Sequence, residues 1–307
     1  MENELLQLAE ECFRDAILTD ELCPASIKTY RGSIRNFCLV VGYRKLEDLS
    51  NEDFDLFIIR MKEKGASNSR IANIIASVKW FIGKLIKRGI VLMRLNLADI
   101  RKPRVMKKET NYLTEKEIGM FLDGIKRDMD ERRTVKNIRM MAFVTILLQT
   151  GARIGEILSI NIDDIDRENR EIKVIGKGRK PRTLFVRDET LYWLDMYLSV
   201  REDHEKALFA TQDGQSRWKQ TDVGRSFRKY KRLSGIKKEF VIHTFRHTFA
   251  TQYLMKGAGI NVVQTALGHS DPVTTLKYYA ATVEKAKVRE MINDKHFDFI
   301  PKSDLTF

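Results

Sequence analysis

A short basic segment, RKPRVMKK at residues 101–108, divides the sequence into two parts with different patterns. Pro103 interrupts this segment, and the helical spacing of apolar residues that precedes it does not continue through it. A chain of 307 residues that is 43% hydrophobic is long enough for about two domains. We therefore expect a helical domain at residues 1–100, a basic linker at 101–109 and a second domain at 110–307.

The first domain shows apolar residues at helical spacing throughout. The spacing from Ile27 to Val41 predicts one helix, and Ser50 is placed to cap a second that carries Phe54 and Phe57. The third predicted helix ends at Gly89. Its apolar stripe consists of Ile71, Ile74, Ile75, Val78, Ile82, Leu85 and Ile86. Its other face carries basic side chains, among them Arg70, Lys79 and Lys84, which are either simply solvated or in contact with phosphate.

The second domain mixes helices and strands. Thr114 and Glu117 form a capping-box pattern that opens a helix, and residues 137–149 form a strongly apolar one. Two strands are predicted, at residues 170–175 and 182–187, and the turn GKGRKP joins them. Further helices are predicted near 188–201 and 221–233. The expected fold class is mostly α with a small β-sheet.

The charge of the chain points to a polyanionic partner. The formal net charge is +13, and nucleic acid is the first candidate, although a merely soluble basic surface is the alternative. Between Arg217 and Lys238 the chain has nine basic residues and one acid. A helix in this stretch would be anchored to a core by its aromatic residues, Trp218, Phe227 and Tyr230. The candidate DNA-binding residues are Arg70, Lys79, Lys84, Arg101, Lys102, Arg104, Arg225, Arg228, Lys229 and Arg232.

Cysteine usage and hydropathy favour a cytoplasmic or nucleoid-associated protein. The three cysteines are an odd number without a CxxC pair, which argues against disulfides and favours a reducing compartment. The acidic, amphipathic N-terminus is unlike a signal peptide, and no run approaches the ~18 apolar residues that a membrane span needs. His243 and His247 have a metal-binding spacing, but without an obvious third ligand we expect no metal.

Four separate segments carry unusual polar residues. They are TGARIGE with Arg153, the turn GKG with Lys177, HTFRHTFAT with His243 and Arg246, and LGHSDPVTTLKYYA with His269, Tyr278 and Tyr279. Each has an ordinary structural explanation when taken alone, such as an ion pair of Arg153 with Glu156 or a packed tyrosine.

Taken together, these segments resemble the tyrosine recombinase family, also called the phage integrase family. The family's ordered set of Arg, Lys, His-x-x-Arg, His and Tyr is matched in full. The matching residues are Arg153, Lys177, His243, Arg246, His269 and Tyr278. The resemblance implies a helical core-binding domain (SAM-like) followed by a mixed catalytic domain. The absence of a further domain before residue 1 favours the Xer-like recombinases.

The resemblance implies a metal-free, ATP-free reaction without cofactors. Two guanidinium groups would stabilise the charge on the phosphate, as the arginines can bind its oxygens bidentately at any working pH. Tyr278 would attack, with His243 as base or hydrogen-bond partner and His269 as donor to the phosphate. Lys177 would protonate the leaving 5′-hydroxyl, and Glu156 would orient the surroundings of Arg153.

The nucleophile is assigned to Tyr278 rather than Tyr279, since the family's spacing places it nine residues after His269. A small departure is Ala280-Ala281, where the family often has a polar residue. The product would be a 3′-phosphotyrosine, and strands would be exchanged through a Holliday junction by four protomers on two duplexes.

The chain is expected to act together with DNA and with other protein molecules. The expected partners are a double-stranded recombination site and other copies of the chain, with a second recombinase or an accessory protein as a further candidate. The apolar tail at 283–307 would dock on a neighbouring protomer, or else pack on its own domain. The rival functions are a non-catalytic DNA-binding regulator and a type IB topoisomerase-like enzyme.

Overall fold

The computed structural model describes residues 4–42, 45–90, 94–106, 111–176, 180–268 and 283–284. The chain divides into two compact units, Met1–Lys108 and Glu109–Phe307, at the end of the basic segment. Both units are built mainly from helices, and the second also contains a small sheet, so the predicted fold class is confirmed. None of the helices in these ranges combines the length and the apolarity that crossing a membrane requires.

The described part of the first unit contains four α-helices. They are α1 (Glu4–Leu18), α2 (Pro24–Val41), α3 (Asn51–Glu63) and α4 (Asn68–Lys87). The predicted start of α3 is confirmed, because Ser50 and Asp53 form a reciprocal capping box there. Phe54 and Phe57 of this helix are fully buried against Phe37 of α2.

Helix α4 supplies the core of the first unit. Ile71, Ile75 and Leu85 are inaccessible to solvent, as the predicted apolar stripe requires. The prediction is wrong for Ile86, which is 44% exposed. Because the stripe of a 3.6-residue helix is narrow, the neighbour of Leu85 is turned about 100° away from the core.

The helices described in the second unit surround one that is almost entirely buried. They are α5 (Glu115–Glu131), α6 (Val135–Thr150), α7 (Ile154–Ser159), α8 (Asp188–Ser199), α9 (Gln220–Leu233), α10 (Thr244–Met255) and α11 (Ile260–Leu267). The capping box of Thr114 and Glu117 opens α5 as predicted. Helix α6 is apolar on most sides, which is typical of a helix enclosed by others. Trp218, Phe227 and Tyr230 are buried in this core, as expected.

The sheet described in the second unit is a three-stranded antiparallel meander. Its strands are β1 (Ile165–Asp166), β2 (Glu171–Ile175) and β3 (Pro181–Phe185), in the order β1-β2-β3. In the register, Ile172 lies opposite Leu184 and Val174 opposite Arg182. The two predicted strands are confirmed to within two residues at each end. Strand β1 was not predicted, because two residues are too short to show an alternating pattern.

Candidate active site

A glycine turn at the end of α6 places Arg153 at the start of α7. Gly151 has φ +59°, and a Cβ there would lie 2.7 Å from side-chain atoms of Phe249 and Leu267. Both the left-handed backbone and the lack of space therefore require glycine. Two residues later, Arg153 is the N-cap of α7, and its guanidinium is one-third exposed.

Glu156 fixes Arg153 from the first turn of α7. Its carboxylate accepts the backbone N–H of Arg153 at 2.8 Å and Nη1 of the same residue at 2.9 Å. Burial would raise the pKa of Glu156, but hydrogen bonds from Arg182 and Arg153 lower it. The side chain is only 5% exposed and stays ionised at neutral pH. The ionised carboxylate of Glu156 thus orients Arg153 through these two hydrogen bonds.

Arg246 connects the glycine turn to the end of α11. It is 2% exposed, and its Nη1 and Nη2 donate to the carbonyl oxygens of Gly151 and Leu267 at 2.7 and 2.8 Å. Because a guanidinium is a rigid planar fork, these two bonds fix its plane. The positive charge of Arg246 is thus held beside the turn that carries Arg153.

His243 lies at the start of α10, one helical turn before Arg246. Although the residue is exposed overall, partial desolvation and the charges of Arg246 and Arg153 lower its pKa. At neutral pH the imidazole is therefore uncharged and can accept a proton. Its ring meets that of His247 edge-on, with the centroids 4.8 Å apart. Within the described ranges, no group of three or more His, Cys, Asp or Glu side chains has the arrangement of a metal site.

Three predicted catalytic residues, Lys177, His269 and Tyr278, lie outside the described residues, as does Tyr279. Described atoms next to two of them do reach the site. The backbone N–H of Gly176 donates to the carbonyl oxygen of Lys180 at 2.8 Å across the base of the hairpin. A Cβ on Gly176 would lie 3.6 Å from Oε1 of Glu156. The carbonyl oxygen of Gly268 lies 3.4 Å from Nη2 of Arg153. Predictions for the remaining tail at 285–307 also fall outside the described residues.

Sequence reasoning missed Arg182, which donates to Glu156 from strand β3 at 2.8 Å. The signal was its register: in the hairpin Arg182 lies opposite the buried Val174, so it shares the inward face of the sheet. An arginine at an inward strand position needs a buried acceptor, and Glu156 was available.

The predicted DNA-binding residues differ in how they are engaged. Six of them are exposed, and no acidic side chain among the described residues forms an ion pair with them. These six are Arg70, Arg101, Lys102, Arg104, Arg228 and Arg232. Arg225 is 72% exposed and pairs with Asp222. Lys84 and Lys229 form ion pairs with Glu21 and Asp128, while Lys79 donates to the carbonyl oxygen of Leu97 at 2.6 Å.

Comparison with solved structures defines the class to which this fold belongs. The chain is similar to the XerH site-specific recombinase, with a TM-score of 0.74 at 21% identity over 94% of this chain and 84% of the other. That structure is a post-cleavage complex with a palindromic difH substrate. The fold is therefore that of the tyrosine recombinases.

Sequence comparison agrees. The family model described as "Phage integrase family" matches residues 111–285, more than half of the chain. The chain belongs to the phage integrase family. It is 28% identical to the tyrosine recombinase XerD of Oceanobacillus iheyensis over 301 residues, covering 94% of this chain and 97% of that protein. It is 30% identical to a tyrosine recombinase of Pseudothermotoga lettingae over 259 residues, covering 82% and 86% respectively. The family predicted from the polar segments is confirmed.

Proposed function

We propose that this chain is a site-specific DNA recombinase that cuts and rejoins strands through a covalent 3′-phosphotyrosine. The observation that carries the proposal is the arrangement of Arg153 and Arg246 at one glycine turn, with His243 close enough for both of their charges to lower its pKa. Two guanidinium groups and a neutral imidazole are suited to a reaction that builds negative charge on a phosphate while a hydroxyl loses its proton.

The proposed cleavage step uses four kinds of side chain. The phenolic oxygen of Tyr278 attacks the phosphorus, and the P–O5′ bond breaks. The phenolic proton passes to His243, and Lys177 gives a proton to the departing 5′-oxygen. Arg153 and Arg246, with His269 as a further donor, stabilise the charge on the phosphoryl oxygens.

Rejoining is the same step in reverse. The 5′-hydroxyl of a second duplex attacks the phosphotyrosine and releases Tyr278. The phosphodiester is conserved as an ester throughout, so no ATP is consumed. Two such rounds exchange both strand pairs through a Holliday junction, and we propose four protomers on two duplexes for this.

The proposed domain functions follow the charge distribution. Residues 1–100 would form a core-binding domain, 101–109 a basic linker along the DNA backbone, and 110–307 the catalytic domain. The exposed arginines of α4, α9 and the linker would contact phosphates. The segment 283–307 would dock on a neighbouring protomer, and the protein would act in the cytoplasm.

The test is covalent trapping. DNA fragments that remain attached to the wild-type chain after denaturation are recovered from the native cell and sequenced. A nicked suicide duplex containing the recovered site is then incubated with the purified full chain. We expect a covalent adduct on a denaturing gel and strand exchange between two such sites. Binding without an adduct would indicate a regulator instead, and relaxation of a plasmid without paired sites would indicate a topoisomerase.

A further inference from the structure

Arg182 takes no part in the chemistry proposed above, yet its side chain contacts two other segments of the site. Its Nη2 lies 2.8 Å from Oε2 of Glu156 in α7, and its Nη1 donates to the carbonyl oxygen of Ala266 in α11 at 2.6 Å. The side chain is 14% exposed. Because Arg182 belongs to β3, it joins the sheet to both helices.

The carboxylate of Glu156 is shared between two arginines. Oε2 accepts from the guanidinium of Arg182 and from the backbone N–H of Arg153, each at 2.8 Å, while Oε1 accepts Nη1 of Arg153 at 2.9 Å. The three side chains together carry one net positive charge. Without Arg182 the buried carboxylate would have one cation left, and both of its oxygens would attract that cation.

The consequence for Arg153 concerns its donors. Its Nη1 is engaged by Glu156, whereas the contact that the described residues make to Nη2 is a longer one of 3.4 Å, from the carbonyl oxygen of Gly268. A bidentate pair with Glu156 would engage both donors of the fork. A phosphate would then have to displace a buried carboxylate, which costs more than displacing a weak contact.

The packing around Arg182 keeps this arrangement in place. Gly268 has φ +63°, and a Cβ there would lie 2.9 Å from Cδ of Arg182 and 3.0 Å from its Nε. The arginine thus fills the space beside Gly268, at the C-terminal end of α11, where a positive charge also interacts favourably with the helix dipole. Its Nε is buried and has no hydrogen-bond partner within the described ranges.

We propose that Arg182 is a positioning residue, which occupies Oε2 of Glu156 and so leaves the Arg153 fork available to the substrate phosphate. The inference rests on the proposed function for the identity of that substrate. Arg182 itself does not touch the reacting atoms.

The first experiment measures covalent adduct formation with the suicide duplex. Arg182→Ala is expected to slow it at least about tenfold, as misplacement of a catalytic group does, with DNA binding unchanged. Adding Glu156→Gln removes the competing carboxylate, so the double variant should be faster than Arg182→Ala alone. A merely structural role would instead give a double variant as slow as Arg182→Ala or slower, and that result would overturn the proposal.

Lysine and pH provide a second readout. Arg182→Lys keeps a charge at Oε2 and should retain most of the rate. In Arg182→Ala the pKa of Glu156 rises because one cation is lost, so the rate relative to wild type should increase as the pH falls and the carboxylate is protonated. A ratio that does not change with pH would contradict the proposal.

Arg167→Ala, which removes an exposed ion pair with Asp195 beside the same sheet, is the matched control and should behave as wild type. If Arg182→Ala does not fold, as judged by its thermal melt, Arg182→Gln replaces it with the same expectations.

A third measurement separates this proposal from the proposed function. Binding of inorganic phosphate is followed through the side-chain Nε–H resonance of Arg153 in the full chain, which requires no DNA cleavage. The phosphate Kd should rise in Arg182→Ala and recover in the double variant with Glu156→Gln. Recovery together with a wild type that forms no adduct would refute only the recombinase function. An adduct-forming wild type with unchanged phosphate binding in Arg182→Ala would refute only the role of Arg182.

Discussion

The guanidinium of Arg246 donates to the carbonyl oxygen of Gly151 at 2.7 Å, so the residue proposed to bind phosphate also holds the turn that presents Arg153. Its second bond, to Leu267, ties the same side chain to α11. Arg153 is held differently: its guanidinium is one-third exposed, and it pairs with the carboxylate of Glu156, which Arg182 also contacts.

Substitution of these two arginines should therefore separate catalysis from stability. Arg153→Ala is expected to lower the rate of adduct formation by about 10²-fold, as loss of one oxyanion stabiliser does, with a smaller loss of Tm than in Arg246→Ala, because Arg182 still pairs with the buried Glu156. Arg246→Ala should lower the rate at least as much. It should also lower Tm by roughly 6–12 °C, because it leaves two buried carbonyl oxygens unpaired at a cost of about 3 kcal/mol. Suicide-substrate gels and calorimetry measure the two effects, and wild-type cleavage by either variant would contradict the assignment.

The titration of His243 should depend on Arg153. Desolvation and the charges of Arg246 and Arg153 lower the pKa of this imidazole. Arg153→Gln removes one positive charge, so protonated His243 becomes easier to form and its pKa should rise. An NMR titration of the full chain measures this directly, and His243→Asn identifies the resonance. With Arg167→Gln as the remote control, an unchanged pKa in Arg153→Gln would show that the two side chains do not interact.

Lys177→Ala tests the proposed general acid. The variant should cleave normal DNA slowly and recover on a substrate with a 5′-bridging phosphorothiolate, whose leaving group needs no proton. The rates on the two substrates are compared for wild type and variant. An equal defect on both would exclude Lys177 from proton transfer.

The adjacent tyrosines offer a matched pair of variants. Tyr278→Phe removes a single oxygen and should bind DNA normally without forming an adduct. Tyr279→Phe should still form one. Peptide mapping of the trapped wild-type complex locates the nucleotide independently, and a phosphotyrosine at residue 279 would reverse the assignment.

Deletion of 283–307 tests the proposed docking of the tail. The truncated chain should bind a single site with unchanged affinity but lose synapsis, because the contact between protomers is absent. Gel-shift assays with one and two sites distinguish these steps. Full recombination by the truncated chain would mean that the tail serves its own domain or none.

The sequence predicted best what depends on local pattern. Ser50 and Thr114 cap their helices as expected, because a capping box is formed by residues only three apart. Phe227 and Tyr230 are buried as expected, since aromatic residues within a basic helix have only one apolar environment available, the core. Ile86 was misplaced because an apolar side chain at the margin of a stripe is compatible with either face.

What the sequence did not reveal depends on pairing between distant segments. Arg182 and Glu156 lie 26 positions apart and meet because β2, the neighbour of β3 in the sheet, packs against α7. The register that turns Arg182 inward becomes visible only once its opposite residue, Val174, is known. The two backbone acceptors of Arg246 likewise lie at the ends of α6 and α11, which no spacing rule connects to it.

The turn at Gly151 also limits how such a protein can change over evolutionary time. Any side chain there would displace Phe249 and Leu267 and move the acceptor of Arg246 in the same event, so no single mutation can adjust this part of the site gradually. The exposed arginines of α9 are not constrained by packing in this way. If these arginines contact DNA as proposed, a lineage descended from this chain could acquire new DNA targets by substitutions on α9 while Gly151 stays unchanged. A library intended to redirect the protein should then vary Arg228 and Arg232 and leave residue 151 untouched.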